Sequence, residues 1–230
     1  DLRAVYLGLA REVDDHVGRV VNWLKETGQW DTTTVIITGD HGEMLGDHHL
    51  WGKQAPFDPS LHVPLMIRVP EKTGSHGIRI EALTESIDLA PTMLELMGVD
   101  IPLALDGHSL VPLLDGETPD NWRDYVFCEV ELGEIEAPSR FETAWSLPPE
   151  QCNFALLRSK THKYVHVNGG LPPMLFDLVN DPGERHDLAG DPQSSQLLHD
   201  MAARMLDHRM TNANRALSRM AITDKGLAIR

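Results

Sequence analysis

Cysteine is scarce in this chain. Cys128 and Cys152 are the whole supply among 230 residues, 24 positions apart, and they make no CxxC pair and no disulfide framework. Two reduced, partly buried thiols of a cytoplasmic protein are the expectation. Positive charge is short as well: 20 Lys and Arg stand against 35 Asp and Glu, a formal net charge of −15. That balance argues against a nucleic-acid partner, which needs a basic face. Long apolar runs are missing; none approaches the ~20 residues needed to cross a bilayer, so no membrane partner is expected. No charged-then-apolar leader opens the chain, which favours the cytoplasm, with a periplasmic protein stripped of its leader as the alternative. The first residue is Asp1 rather than Met, so an upstream part is expected to be missing.

What is present is ordinary globular composition, 41% hydrophobic and 24% charged, enough for one large domain or two small ones. Residues 3–27 read as an amphipathic helix. Val5, Leu9, Val13, Val17, Val20, Val21 and Leu24 keep one apolar stripe, Arg11 and Asp15 form an exposed pair, and Gly28 is the stop. The β-branched run Thr34–Thr38 follows, so that helix, turn and strand make an α/β pattern, where ligands gather at the carboxyl ends of strands. Pro64–Val69 is a second strand. Residues 88–97 form a helix capped by Asp88, and 101–121 form loop with one helical turn near Ser109–Leu113.

From about Trp122 short strands succeed one another: Tyr125–Val130, Asn153–Arg158, Lys163–Val167 and Met174–Leu178, with a long loop from Leu132 to Gln151. Strands joined without helices predict an antiparallel sheet. Asp191-Pro192 then opens a helix with Leu197, Leu198, Met201, Met205 and Leu206 on one side, and the last dozen residues read as a tail or an assembly arm. The partition is residues 1–121, an α/β part, and 122–230, an α+β part with its tail.

The chemistry concentrates in Thr38-Gly39-Asp40-His41-Gly42-Glu43 and the following Leu45-Gly46-Asp47-His48-His49-Leu50-Trp51-Gly52-Lys53. A strand that ends in Asp40-His41 presents two metal ligands on a rigid edge. An imidazole beside carboxylates suits Mn, Fe or Zn, with Ca as the alternative. Lys53, in a glycine-bracketed loop, is a point charge for an oxyanion. His49 and His62 are further candidates for a catalytic or substrate contact. His48 and His49 are adjacent in a loop read as extended, so at most one of them faces the site. Asp14, Asp15 and His16 read as a solvated helix face, Asp181-Pro182-Gly183-Glu184 as a turn with surface charges, and neither cysteine as a nucleophile.

Thr38–Glu43 resembles the alkaline-phosphatase superfamily. The continuation through Lys53 and His62-Val63-Pro64-Leu65-Met66-Ile67-Arg68 is similar to the sulfatase family, as is Leu175-Phe176-Asp177-Leu178 with Asp181–Glu184 and Asp187-Leu188. Within it, His49, His62, Lys163-Tyr164-Val165-His166 and Leu171-Pro172-Pro173 look most like phosphonate monoester hydrolases, which also cleave phosphodiesters. The resemblance implies a partial alkaline-phosphatase-like α/β sheet domain followed by a small C-terminal antiparallel sheet with a packed helix. It implies Asp40 and His41 as metal ligands and Lys53 as the cation facing a small anionic ester. It also implies a formylglycine nucleophile made from a Cys-x-Pro-x-Arg motif. Cys128 precedes Glu-Val and Cys152 precedes Asn-Phe, so that motif and the remaining ligands are expected in a missing N-terminal half, without which the chain is expected to be inactive. Oligomeric relatives make a homo-oligomer the expectation, with residues 130–150 and the C-terminal arm as contacts. The alternatives are an arylsulfatase- or choline-sulfatase-type sulfate ester hydrolase and, in another class, a non-catalytic binding or assembly module that keeps the fold.

Overall fold

The computed structural model describes residues 2–134, 137–212, 220–223 and 226–229. The chain forms two compact units, one of Asp1–Ile80 with Leu114–Gly116, the other of Glu81–Leu113 with Glu117–Arg230.

The first unit opens with α1 (Leu2–Glu26). Helix formers without an interior proline carry it for 25 residues, and it stops where Gly28 turns left-handed at φ 70°. Gln29 donates its N–H to Leu24 O at 2.8 Å, which satisfies one of the carbonyls left open at the helix end. Arg11 and Asp15 pair at 3.2 Å on the exposed side, as their spacing implies. The apolar stripe is not buried as expected: only Leu24 is, while Val5, Leu9, Val13, Val20 and Trp23 are more than half exposed. The periodicity states which face seeks cover. It does not supply the cover.

β1 (Val35–Thr38) follows, then the short α2 (Asp58–Leu61) and β2 (Leu65–Arg68). β1 and β2 pair antiparallel from Val35↔Arg68 to Thr38↔Leu65, and among the described residues this is a two-stranded sheet. A ribbon that small is marginal alone. Side-chain contacts reinforce its open end. The Arg68 guanidinium lies 3.8 Å over the Trp30 ring and donates to Trp30 O at 2.8 Å.

The second unit contains α3 (Leu89–Leu96), α4 (Val111–Leu114), β3 (Tyr125–Glu131), α5 (Arg140–Trp145), β4 (Asn153–Ser159), β5 (His162–Val167), β6 (Met174–Asp177), α6 (Ser195–Asn212) and the ribbon β7 (Met220–Thr223) with β8 (Gly226–Ile229). Its core is an antiparallel meander in the order β3-β4-β5-β6. Alternation in β4 and β5 sends Ala155, Leu157 and Tyr164 to one face, where Leu175, Met201 and Met205 meet them and α6 is the covering helix. Phe154, Leu156, Val165 and Phe176 are buried on the other face. The expected architecture, a partial α/β part followed by a small antiparallel sheet with a packed C-terminal helix, is the one observed.

Four further details differ from the sequence reading. Asp88 does not cap α3. Its carboxylate instead receives both arms of the Arg123 fork at 2.6 Å, the Glu85 N–H and the His108 N–H, both at 2.8 Å. A bidentate cation outcompetes a single helix N–H for a buried carboxylate. Asp181–Glu184 is not a turn of surface charges. Glu184 is buried and ion-paired with Lys163, itself wholly buried. Residues 220–229, read as part of a tail, include the β7–β8 ribbon, paired from Met220↔Ile229 to Thr223↔Gly226. Four-residue strands are too short to show a period. Of the expected arm, residues 219, 224–225 and 230 lie outside the described residues.

The fourth difference is α5, inside the expected long loop 132–151, of which residues 135–136 lie outside the described residues. Ser139 Oγ accepts the Glu142 N–H at 3.2 Å, and Glu142 Oε2 accepts the Ser139 N–H at 2.7 Å, a reciprocal capping box. Ser139→Ala is expected to cost about 1 kcal/mol, seen as a lower denaturant midpoint at unchanged m-value. Hydrogen bonds from the Ser139 and Glu134 amides hold the Glu142 carboxyl below its ordinary value. Its contribution is therefore complete at neutral pH, above the unfolded value, and is lost as pH falls through the lowered folded value.

Candidate active site

The site begins where β1 runs out. Thr38 is the last strand residue, and Gly39 lets the chain turn so that Asp40 and His41 lie side by side at the strand's carboxyl end. The turn is held against residues 59–60: Gly42 donates its N–H to Ser60 O at 2.8 Å and Glu43 to Pro59 O at 2.9 Å. A Cβ on Gly42 would fall 2.1 Å from Pro59 O, so only glycine allows this approach.

Asp40 Oδ1 accepts the His41 N–H at 3.0 Å, while its Oδ2 lies 3.5 Å from His41 Nε2. His41 Nδ1 is 2.8 Å from Gly42 O. A carbonyl only accepts, so Nδ1 carries a proton. Nε2 and Oδ2, 3.5 Å apart, are the atoms left to face a cation. A backbone carbonyl fixing the tautomer is also the usual support of a metal-bound imidazole. Hydrogen bonding at its own backbone N–H is the largest effect on the Asp40 carboxyl; burial opposes it, and with lesser help from the His41 amide and the charges of His41 and Lys53 the carboxyl is held below the usual carboxylate range. The side chains are accessible, 88% for Asp40 and 40% for His41.

The residues fit one edge of a metal site. Asp40 and His41 supply an oxygen and a nitrogen at one place. Among the described residues no third His, Cys, Asp or Glu completes a metal-binding group.

Lys53 is exposed and close enough in charge to act on Asp40. It follows Gly52, left-handed at φ 85°. Its positive charge is the smallest of the effects that act on the Asp40 carboxyl. His49 and His62 are the two remaining candidates. Both are exposed, His49 in the 47–49 turn and His62 just after α2, where its N–H meets Asp58 O at 2.8 Å. The loop holding His48 and His49 is not extended. It is a tight turn in which Leu45, Gly46, His48 and His49 are all left-handed, and His48 stacks on Phe57 with ring centroids 3.8 Å apart. The sequence reading gave no role to Arg3, which pairs with Asp47 at 3.0 Å, or to Glu43, which binds this loop from within. Glu43 stood in the quoted motif. A partner 44 positions away, such as Arg3, leaves no local signal.

Known proteins resemble this chain. Residues 1–99 match the Sulfatase family. The multifunctional alkaline phosphatase superfamily protein PehA of Trinickia caryophylli is 40% identical over all of this chain and 44% of its own length. Arylsulfatase K of Xenopus laevis is 32% identical over 93% of the chain and 39% of its own length. Among solved structures, the phosphonate monoester hydrolase SpPMH of Silicibacter pomeroyi superposes with a TM-score of 0.90 at 45% identity, covering all of this chain and 45% of that one. The chain thus spans less than half the length of the relatives it matches. The family match over residues 1–99 and the likeness along the whole length place the chain in the sulfatase family.

Proposed function

We propose that this chain is the C-terminal half of a metal-dependent ester hydrolase of the sulfatase family, acting on phosphonate monoesters and phosphodiesters. The observation that carries the reading is the Asp40 Oδ2 and His41 Nε2 pair at the tip of β1, with Lys53 in electrostatic reach. Similarity to PehA and SpPMH over the full chain supports the substrate class.

Asp40 and His41 would hold a divalent cation, with manganese, iron or zinc favoured by the mixed oxygen and nitrogen donors. When bound, that cation supplies Lewis-acid polarisation of the ester's phosphoryl or sulfuryl oxygen. Gly42 O keeps His41 in the tautomer that leaves Nε2 free. Lys53 meets the negative charge that builds on the transferred group and the leaving oxygen, a role suited to an unbranched ammonium. The nucleophile, a formylglycine by family likeness, and the remaining ligands belong to an N-terminal half. The exposed stripe of α1 and the bare β1–β2 ribbon are the surfaces that half would cover. Exclusion of water from the site would follow from that cover. The complete enzyme is a homo-oligomer of the cytoplasm in this reading.

Likeness to arylsulfatase K favours a second reading, a sulfate ester substrate. Kinetics on matched phosphonate and sulfate esters decide between them. The complete enzyme is expected to turn over the phosphonate faster and to lose activity with a chelator, while the 230-residue chain alone turns over neither. Turnover by the purified chain alone would overturn the proposal of a split site.

A further inference from the structure

The loop from Met44 to Lys53 follows a path that most residues avoid. Leu45, His48 and His49 have φ of 49°, 50° and 60°, and Gly46 and Gly52 are left-handed beside them. Side chains with a Cβ resist this conformation, so the path persists only where its surroundings over-determine it. One carboxylate does much of that. Glu43 Oε1 accepts the Leu45 N–H at 3.2 Å and the Gly52 N–H at 2.6 Å, so a single oxygen ties the start of the loop to its end. Backbone bonds from Met44 N–H to Gly52 O at 3.0 Å and from Gly46 N–H to Leu50 O at 2.8 Å close the rest. Bonds to an ionised acceptor are stronger than the neutral ones around them.

Both ends of this clamp bear on the site. Glu43 belongs to the turn that carries Asp40 and His41, and its own N–H is pinned to Pro59 O at 2.9 Å. Gly52 is the residue before Lys53. We infer that Glu43 is a positioning residue whose carboxylate, by holding the Leu45 and Gly52 amides, sets Lys53 beside Asp40 and His41. The inference rests on the proposed function only in giving Lys53 a substrate to face. Glu43 Oε1 is taken by two N–H donors, which leaves it poorly placed to act on a substrate proton.

Two variants test this. Glu43→Gln keeps an oxygen that accepts both N–H groups, whereas Glu43→Ala removes it. In the 15N-labelled chain, Glu43→Ala is expected to speed amide exchange at Gly52 by about tenfold and to lower the heteronuclear NOE over residues 50–53, leaving β4 and β5 amides unchanged. Glu43→Gln is expected to restore most of the protection. In the complete enzyme, Glu43→Ala is expected to lower kcat with little change in KM. Added to Lys53→Ala it is expected to cost nothing further, since both remove the same placed charge. Unchanged exchange at Gly52 in Glu43→Ala, or additive losses in the double variant, overturns the inference. Should Glu43→Ala fail to fold, Glu43→Asp, too short to span both amides, takes its place, and unchanged exchange at Gly52 in it overturns the inference in the same way. If no complete enzyme turns over any ester, the functional reading fails while the exchange result still judges the clamp.

Discussion

Lys53→Ala in the complete enzyme is expected to lower kcat/KM for a phosphonate monoester by about 10²–10³-fold, the loss typical of a single group aimed at developing charge. Lys53 is exposed in the chain described here, and an exposed ammonium contributes little. Its effect grows where water is excluded and the effective dielectric falls, the condition an N-terminal half would create. If Lys53 faces the leaving oxygen, the loss is larger for esters of poor leaving groups, where more negative charge reaches that oxygen in the transition state. A uniform loss across leaving groups would place the ammonium on the transferred group instead. No loss would remove Lys53 from the chemistry. Lys53→Arg is expected to recover only part of the rate, because a planar fork does not reproduce a point charge.

Lys163→Met is the substitution with the largest expected effect on stability. The Lys163 and Glu184 side chains, 0% and 1% exposed, pair inside the second unit, where β5 meets the turn after β6. Removing one partner leaves the other charge buried without its counter-ion, a cost of about 3–5 kcal/mol. For a chain of this size that corresponds to a fall in Tm of roughly 10 °C or more. Lys163→Met combined with Glu184→Gln should recover much of the loss, since neither charge remains to be solvated. The cycle is read by near-UV circular dichroism on heating. A double variant no more stable than Lys163→Met would mean that packing, rather than charge, holds this turn.

Parts of this structure were legible in the sequence for clear physical reasons. β3 to β6 announce themselves as β-branched and aromatic runs bounded by turn residues, and α6 by Asp191-Pro192 ahead of an apolar face. The turn that carries Asp40 and His41 is legible because it follows a β-branched strand and is bracketed by Gly39 and Gly42. Ser139 and Glu142 carried a readable capping signal, obscured by the prolines around a helix of six residues. Other features had no local trace. Lys163 and Glu184 are 21 positions apart, and Asp-Pro-Gly-Glu favours a surface turn unless a buried cation waits beneath it. The left-handed path of His48 and His49 was invisible, because only glycine predicts positive φ and the clamp that enforces it is tertiary. The α1 stripe was correctly read as apolar, but periodicity reports a demand for burial rather than its fulfilment.

The central claim is that Asp40 and His41 share a cation beside the Lys53 ammonium. Substoichiometric Mn²⁺ added to the 15N,13C-labelled chain tests it most directly, because paramagnetic broadening reports proximity even when binding is weak. The account predicts that the Asp40 carboxyl and His41 ring signals broaden first, with the Lys53 side chain next, and that His41→Ala abolishes the effect. Broadening spread evenly over the surface carboxylates, or centred away from residues 40 and 41, would contradict it.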